Sequence, residues 1–141
     1  MNDPRVEAAV YSYFHTLSTR DKNAWIALFD SKAMLHEPVG ATPGEGRVGL
    51  EQVWQVFTGP FATLTLRSDE VFYSGSGAAA RWSGTATSID GQQADFCGIT
   101  VFEVDTEGRI QTTMSYWDPA EVLIRLAGGI DDTNDNPVYE I

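Results

Sequence analysis

The spacing of apolar positions changes character once along the chain. In DPRVEAAVYSYFHTLSTRD, Val6, Val10, Tyr13 and Leu17 recur at helical spacing and form one stripe. Asn2 or Asp3 can cap this helix, and Pro4 suits its first turn, where a missing N–H costs nothing. A second helix is predicted in DKNAWIALFD, capped by Asp21, with Trp25, Leu28 and Phe29 pointing inward. KAMLHEP reads as a short strand ended by Pro38 and Gly40. A loop with Pro43, Gly44 and Gly46 then leads to a third helix over 48–57, whose apolar face carries Leu50, Val53, Trp54 and Phe57.

The remainder alternates instead. TLTLRSDEVFYS, AAARWSGTATSI, QQADFCGITVFEV and RIQTTMSYW are rich in β-branched and aromatic residues. Asp90-Gly91 and Asp105-Thr106-Glu107-Gly108 between them are hairpin turn signals. Helices followed by an antiparallel meander make an α+β domain. The segment QQADFCGITVFEV adds a further expectation. Phe96, Gly98, Thr100 and Phe102 share one face, and Cys97, Ile99 and Val101 share the other. Both faces are largely apolar, and three short helices cover only one. The outer face therefore predicts a homodimer with sheet-to-sheet contact, because an open apolar sheet is a large exposed patch.

The length, 141 residues, fits one domain over 1–127 and an acidic tail over 128–141, in which Val138, Tyr139 and Ile141 are candidates for docking on a surface. Nine Lys and Arg against 20 Asp and Glu give a net charge of −11. That charge repels nucleic acid and anionic lipid, and leaves neutral or apolar ligands favoured. The N-terminus lacks the basic and apolar regions of a signal peptide, and no apolar run approaches the roughly 18 residues of a membrane span. A cytoplasmic protein is expected, with no membrane partner. The lone Cys97 excludes an internal disulfide and reads as a small apolar filler. His15 and His36 are the only histidines, and nothing converges with them as a metal site. No cofactor is called for.

The stretch AVYSYFHTLSTRDKNAWIALFDSKAMLHEPVGATPGEGRVGLEQVW resembles the start of bacterial ketosteroid isomerases, where a tyrosine-bearing helix precedes a strand ending in acid-Pro-Val/Phe-Gly. EVDTEGRIQTTMSYW is similar to the last hairpin of that family, and the two regions keep its separation. The wider superfamily, NTF2-like or SnoaL-like, implies a cone: three N-terminal helices packed on a curved mixed or antiparallel sheet that encloses a pocket. It hosts isomerases, cyclases, epoxide hydrolases, dehydratases and binding proteins, so the site must decide the function.

The resemblance implies that Glu37 takes the place of the family's general base, an Asp, and that Tyr13 is the oxyanion donor. Thr100 stands where the family has a protonated Asp as second donor, and offers a weaker hydrogen bond. Phe29 and Trp54 stand where some members place tyrosines that support the oxyanion tyrosine. Leu17, Trp54, Phe96, Gly98, Phe102 and Trp117 would line the pocket, with Ser83, Thr85 and Thr113 as a polar side suited to an oxygenated ligand. The expected function is a cofactor-free steroid delta-isomerase-like activity on a hydrophobic unsaturated ketone. One alternative is a cyclase, epoxide-opening enzyme or dehydratase acting on a polyketide or terpenoid. The other is a non-catalytic small-molecule binding protein.

Overall fold

The computed structural model describes residues 2–128. The expected docking of Val138, Tyr139 and Ile141, and the acidic tail apart from its first residue, lie outside the described residues. Six strands form one sheet in the order β2-β1-β6-β5-β4-β3, with helices packed on it. The architecture is the expected α+β cone.

Helix α1 (Pro4–Ser18) starts where Asp3 accepts a hydrogen bond from the backbone N–H of Arg5. Its buried stripe holds Val6, Val10, Tyr13 and Leu17, as the spacing predicts. Helix α2 (Lys22–Ile26) is capped by Asp21 but is shorter than expected. Phe29 already belongs to strand β1 (Phe29–His36), so it enters the core from a strand. Strand β2 (Gly44–Glu45), expected as loop, pairs antiparallel with the end of β1. Helix α3 (Gly46–Thr58) follows at once and buries Leu50, Val53, Trp54 and Phe57. Its start needs small residues, since a Cβ on Gly49 would come within 2.3 Å of the Gly44 carbonyl carbon.

Strands β3 (Thr63–Ser74), β4 (Gly77–Thr87), β5 (Gln93–Val104) and β6 (Ile110–Tyr116) form the antiparallel meander. The sheet is nevertheless mixed, because β1 runs parallel to β6. This pairing sets His36 opposite Met114 and carries the chain beyond β1 along the inner end of β6, where the Val39 N–H donates to the Ser115 carbonyl at 2.8 Å. A fourth helix, α4 (Pro119–Leu126), follows β6, capped by Asp118, and buries Val122 and Leu126. It was absent from the sequence expectation, which extended the sheet to Trp117 and went no further.

Candidate functional site

Alternation decides which side chains face the helices. On β1 the buried positions are Phe29, Ala33 and Leu35, and Glu37 continues their parity just past the strand end. Glu37 is 6% exposed, and its bond to Pro38 is cis. On β6 the same face carries Thr113 and Ser115, both fully buried. On β5 it carries Phe96, Gly98, Thr100 and Phe102, as expected. The register sets Thr100 opposite Ser115 and Phe102 opposite Thr113.

On β4 the expectation is reversed. The inward positions are Ala78, Ala80, Trp82, Gly84 and Ala86. Ser83 and Thr85 point outward, where Ser83 donates to Asp69 and the Thr85 hydroxyl donates to Asp95 at 3.0 Å. Neither faces the helix-covered interior, but Ser83 lines a cavity of about 570 Å³ together with Gly98 and Trp117. The side chain missed on the inner face is Trp82, which is 1% exposed. Its indole N–H donates to Thr100 Oγ1 at 2.9 Å. Gly98 makes this possible: a Cβ there would meet Trp82 Cζ2 at 2.5 Å and the Tyr116 carbonyl at 2.8 Å.

Tyr13 enters from α1 and is 1% exposed. Its ring packs edge-on to Phe102 at 5.0 Å between centroids, and lies 6.3 Å from Phe29 and 6.2 Å from Trp25. Leu17, on the same helix stripe, is fully buried. Trp54 packs on Trp25 at 5.5 Å. Trp117 lies between two rings, Phe57 at 5.4 Å and Phe96 at 5.5 Å, with Trp82 edge-on at 6.0 Å. It is partly buried and packs against the core.

Within this apolar shell several polar atoms are buried without a hydrogen-bond partner: the Tyr13 hydroxyl, both Glu37 carboxylate oxygens, Thr113 Oγ1, and the indole nitrogens of Trp25 and Trp117. A buried polar group without a partner costs about 1–3 kcal/mol, so the cluster is destabilising as it stands. Burial raises the Glu37 carboxyl from its ordinary range to about 7, against the opposing pull of the Ser115 and Thr113 hydroxyls beside it. Burial also pushes the Tyr13 phenol well above the usual tyrosine range, and the nearby Glu37 charge adds to this. Tyr13 thus stays a neutral donor, while Glu37 changes its proton near neutrality.

Thr100 is engaged differently from the expectation. Its oxygen accepts from Trp82, and 2.8 Å separates it from the Ser115 hydroxyl oxygen. It faces protein partners on two sides. Among the described residues, no three His, Cys, Asp or Glu side chains gather as metal ligands. His15 lies outside on α1, stacked on the exposed Tyr11 ring at 5.6 Å. Cys97 sits on the outer sheet face. Among the described residues, no helix is long and apolar enough to cross a membrane.

Comparison with known proteins points to one family. The SnoaL-like domain family matches residues 10–112. The steroid Δ-isomerase of Nocardioides simplex is 27% identical over 119 residues, which cover 84% of this chain and 94% of that protein. The Δ5-3-ketosteroid isomerase of Mycobacterium sp. has a similar structure, with a TM-score of 0.72 at 22% identity over 84% of this chain and 95% of its own. The epoxide hydrolase/cyclase-like enzyme SalBIII, which has a role in pyran ring formation in the polyether salinomycin, gives a TM-score of 0.73 at 21% identity, covering 80% and 90% of the two chains. A curved mixed sheet over helices, an acid-Pro turn at the end of β1 and a match across most of the chain agree: the protein belongs to the SnoaL-like domain family.

Proposed function

We propose that the protein is a cofactor-free isomerase that moves a proton within a hydrophobic unsaturated ketone. The observation that carries this reading is the burial of Glu37 and Tyr13 in one aromatic shell, with no hydrogen-bond partner for the carboxylate or the phenol. The Glu37 carboxylate takes a proton from the carbon between the ketone and the double bond. Electrons move onto the ketone oxygen, and the Tyr13 O–H donates to the resulting dienolate oxygen. Glu37 then returns the proton to the far carbon of the former double bond. The carboxylate is regenerated and the product is a conjugated enone, so no redox partner is consumed. A carboxyl near 7 suits a base that must both take and give a proton at neutral pH.

The steroid Δ-isomerase relative supports a steroid as the substrate class. A β,γ-unsaturated 3-ketosteroid, followed by the ultraviolet absorbance of the conjugated enone, tests the reading. Enzyme-dependent formation of the enone supports it, and no formation at high enzyme concentration sinks the steroid isomerase.

One observation favours a second reading. The residue at the expected second donor position, Thr100, is tied to Trp82 and Ser115. A reaction with less enolate character, such as epoxide opening during ring closure, asks less of that donor, and SalBIII shares the fold. In that case Glu37 takes the proton of the attacking hydroxyl, the new C–O bond forms as an epoxide C–O bond breaks, and the released epoxide oxygen takes a proton, so that none is consumed overall. Ring closure of a hydroxy-epoxide without enone formation would favour it.

We further propose that two copies pair through the outer sheet face. Phe72, Ile99, Val101 and Tyr116 are exposed there by 64%, 44%, 37% and 50%. Sedimentation velocity at micromolar concentration tests this, and a monomer would contradict it.

A further inference from the structure

Across the inner sheet face, polar side chains stand in a row that no expectation from the family pattern covers. Strands β1, β6 and β5 are neighbours, and the ends of this row are fixed by register: Thr100 lies opposite Ser115, and the chain after His36 runs beside Ser115. Trp82 reaches the row from β4 over Gly98. All of these side chains except the glycine are essentially buried: Trp82 is 1% exposed, Thr100 1%, Ser115 0% and Glu37 6%.

The chemistry of the donors gives the row a direction. An indole nitrogen only donates, so Thr100 Oγ1 is the acceptor of the Trp82 bond. That leaves the single Thr100 proton available, and Ser115 Oγ stands 2.8 Å away. If Thr100 donates to Ser115, the Ser115 proton is free for the carboxylate beside it. Each bond in such a chain polarises the next in a low-dielectric interior. A hydroxyl whose oxygen already accepts a hydrogen bond is the better donor to an anion.

We propose that Trp82, Thr100 and Ser115 form a directed hydrogen-bond relay aimed at Glu37, whose carboxylate oxygens make no hydrogen bond in the resting fold, and that its last bond, from the Ser115 hydroxyl, forms when the carboxylate ionises, making Ser115 a positioning residue for the proposed base. The relay gives Thr100 a role on the base side of the site in place of the oxyanion side. It also explains the bare Gly98, which lets the indole lie across β5. Its effect on Glu37 is to favour the ionised form against burial; the Ser115 hydroxyl stands close enough to both Glu37 and Tyr13 to pull each downward against burial. Tyr13 and Glu37 are the titratable side chains in the buried set among the described residues, so no buried cation competes with the relay for the carboxylate. Thr113, the other hydroxyl beside Glu37, has no partner behind it and stands outside the relay.

The proposal rests on the reading of Glu37 as the base, and its test is independent of turnover. The Glu37 carboxyl is titrated by carbon-13 NMR in the intact protein, using Glu37→Gln to assign its signal. Ser115→Ala, Thr100→Val and Thr100→Ser are compared with the wild type. Ser115→Ala and Thr100→Val should each move the midpoint upward, Ser115→Ala by about one pH unit and Thr100→Val by less, while Thr100→Ser restores it. Midpoints of both relay variants within roughly 0.2 of wild type would overturn the relay. So would a shift in Ser115→Ala alone, since Thr100 and Trp82 would then lie outside the path to Glu37. A purely structural role for these hydroxyls lowers thermal stability and leaves the midpoint in place. If the relay holds and no ketone is turned over, the isomerase reading fails while the relay stands.

Discussion

Thr100 and Ser115 face each other across β5 and β6, with their hydroxyl oxygens 2.8 Å apart and both side chains buried. The expected oxyanion donor is thus a neighbour of a hydroxyl that sits beside Glu37, the proposed base. The site has one unengaged donor of the expected set, Tyr13, and one carboxylate, Glu37.

The rate should report Glu37 directly. The base acts only when ionised, so kcat/KM for a β,γ-unsaturated ketone should rise with pH and reach half its plateau near pH 7. A steady-state profile between pH 5 and 9 checks this. A rate that is flat across the range would separate the reaction from Glu37.

Stability should move in the opposite direction to activity. The Glu37 carboxyl titrates at about 7 in the fold and at the ordinary 4.5 when unfolded. Between these values the unfolded chain has released a proton that the native state still holds. Glu37 therefore adds to stability at low pH, and this contribution is lost as pH rises toward the folded value. The loss is about 3 kcal/mol at most once pH exceeds both values. Glu37→Gln removes the ionisation, so at pH 8 the variant should be more stable than wild type by an amount of that order. Urea unfolding at pH 5 and pH 8 measures both, and the gain should be several-fold larger at pH 8 than at pH 5.

Tyr13→Phe separates chemistry from packing. The phenol makes no hydrogen bond within the fold, whereas its ring packs on Phe102 and Phe14. Removing the hydroxyl should leave the melting temperature unchanged or slightly raised, because one buried unpartnered group disappears. Turnover should fall about 10²- to 10³-fold, the usual cost of deleting one oxyanion donor. Comparison of kcat with calorimetric melting tests both halves.

Ser83→Ala and Thr85→Ala should leave kcat and KM within about twofold of wild type, since both hydroxyls are bound to outer-face carboxylates. Steady-state kinetics on the two variants decides this. A large rise in KM for either would return these residues to the substrate.

The cone's plan was readable from periodicity. The α1 stripe, the α3 face and the four long strands all emerge where their apolar spacing places them. Glu37 and Tyr13 are singled out by the resemblance to ketosteroid isomerases and not by periodicity, and both are buried. The errors have a common cause. On β4 the threonines and serine suggested a polar pocket wall, but alternation has two solutions when one face is mostly alanine. Trp82, flanked by Ala78, Ala80 and Ala86 at the same parity, was the signal for the inward face. Ser115 shares the parity of Thr113 and Trp117 and was legible on the same grounds, but serine carries no burial signal of its own. The parallel pairing of β1 with β6 joins segments distant in sequence, and local pattern does not contain it.

The proposed role of Glu37 as the group that moves the proton is tested by comparing wild type and Glu37→Gln on a β,γ-unsaturated 3-ketosteroid at pH 8, with near-ultraviolet circular dichroism showing that the variant's core is intact. Wild type should form measurable enone, and the variant should lose at least about 10³-fold in kcat. A folded Glu37→Gln protein that turns over the ketone within tenfold of wild type would contradict that role.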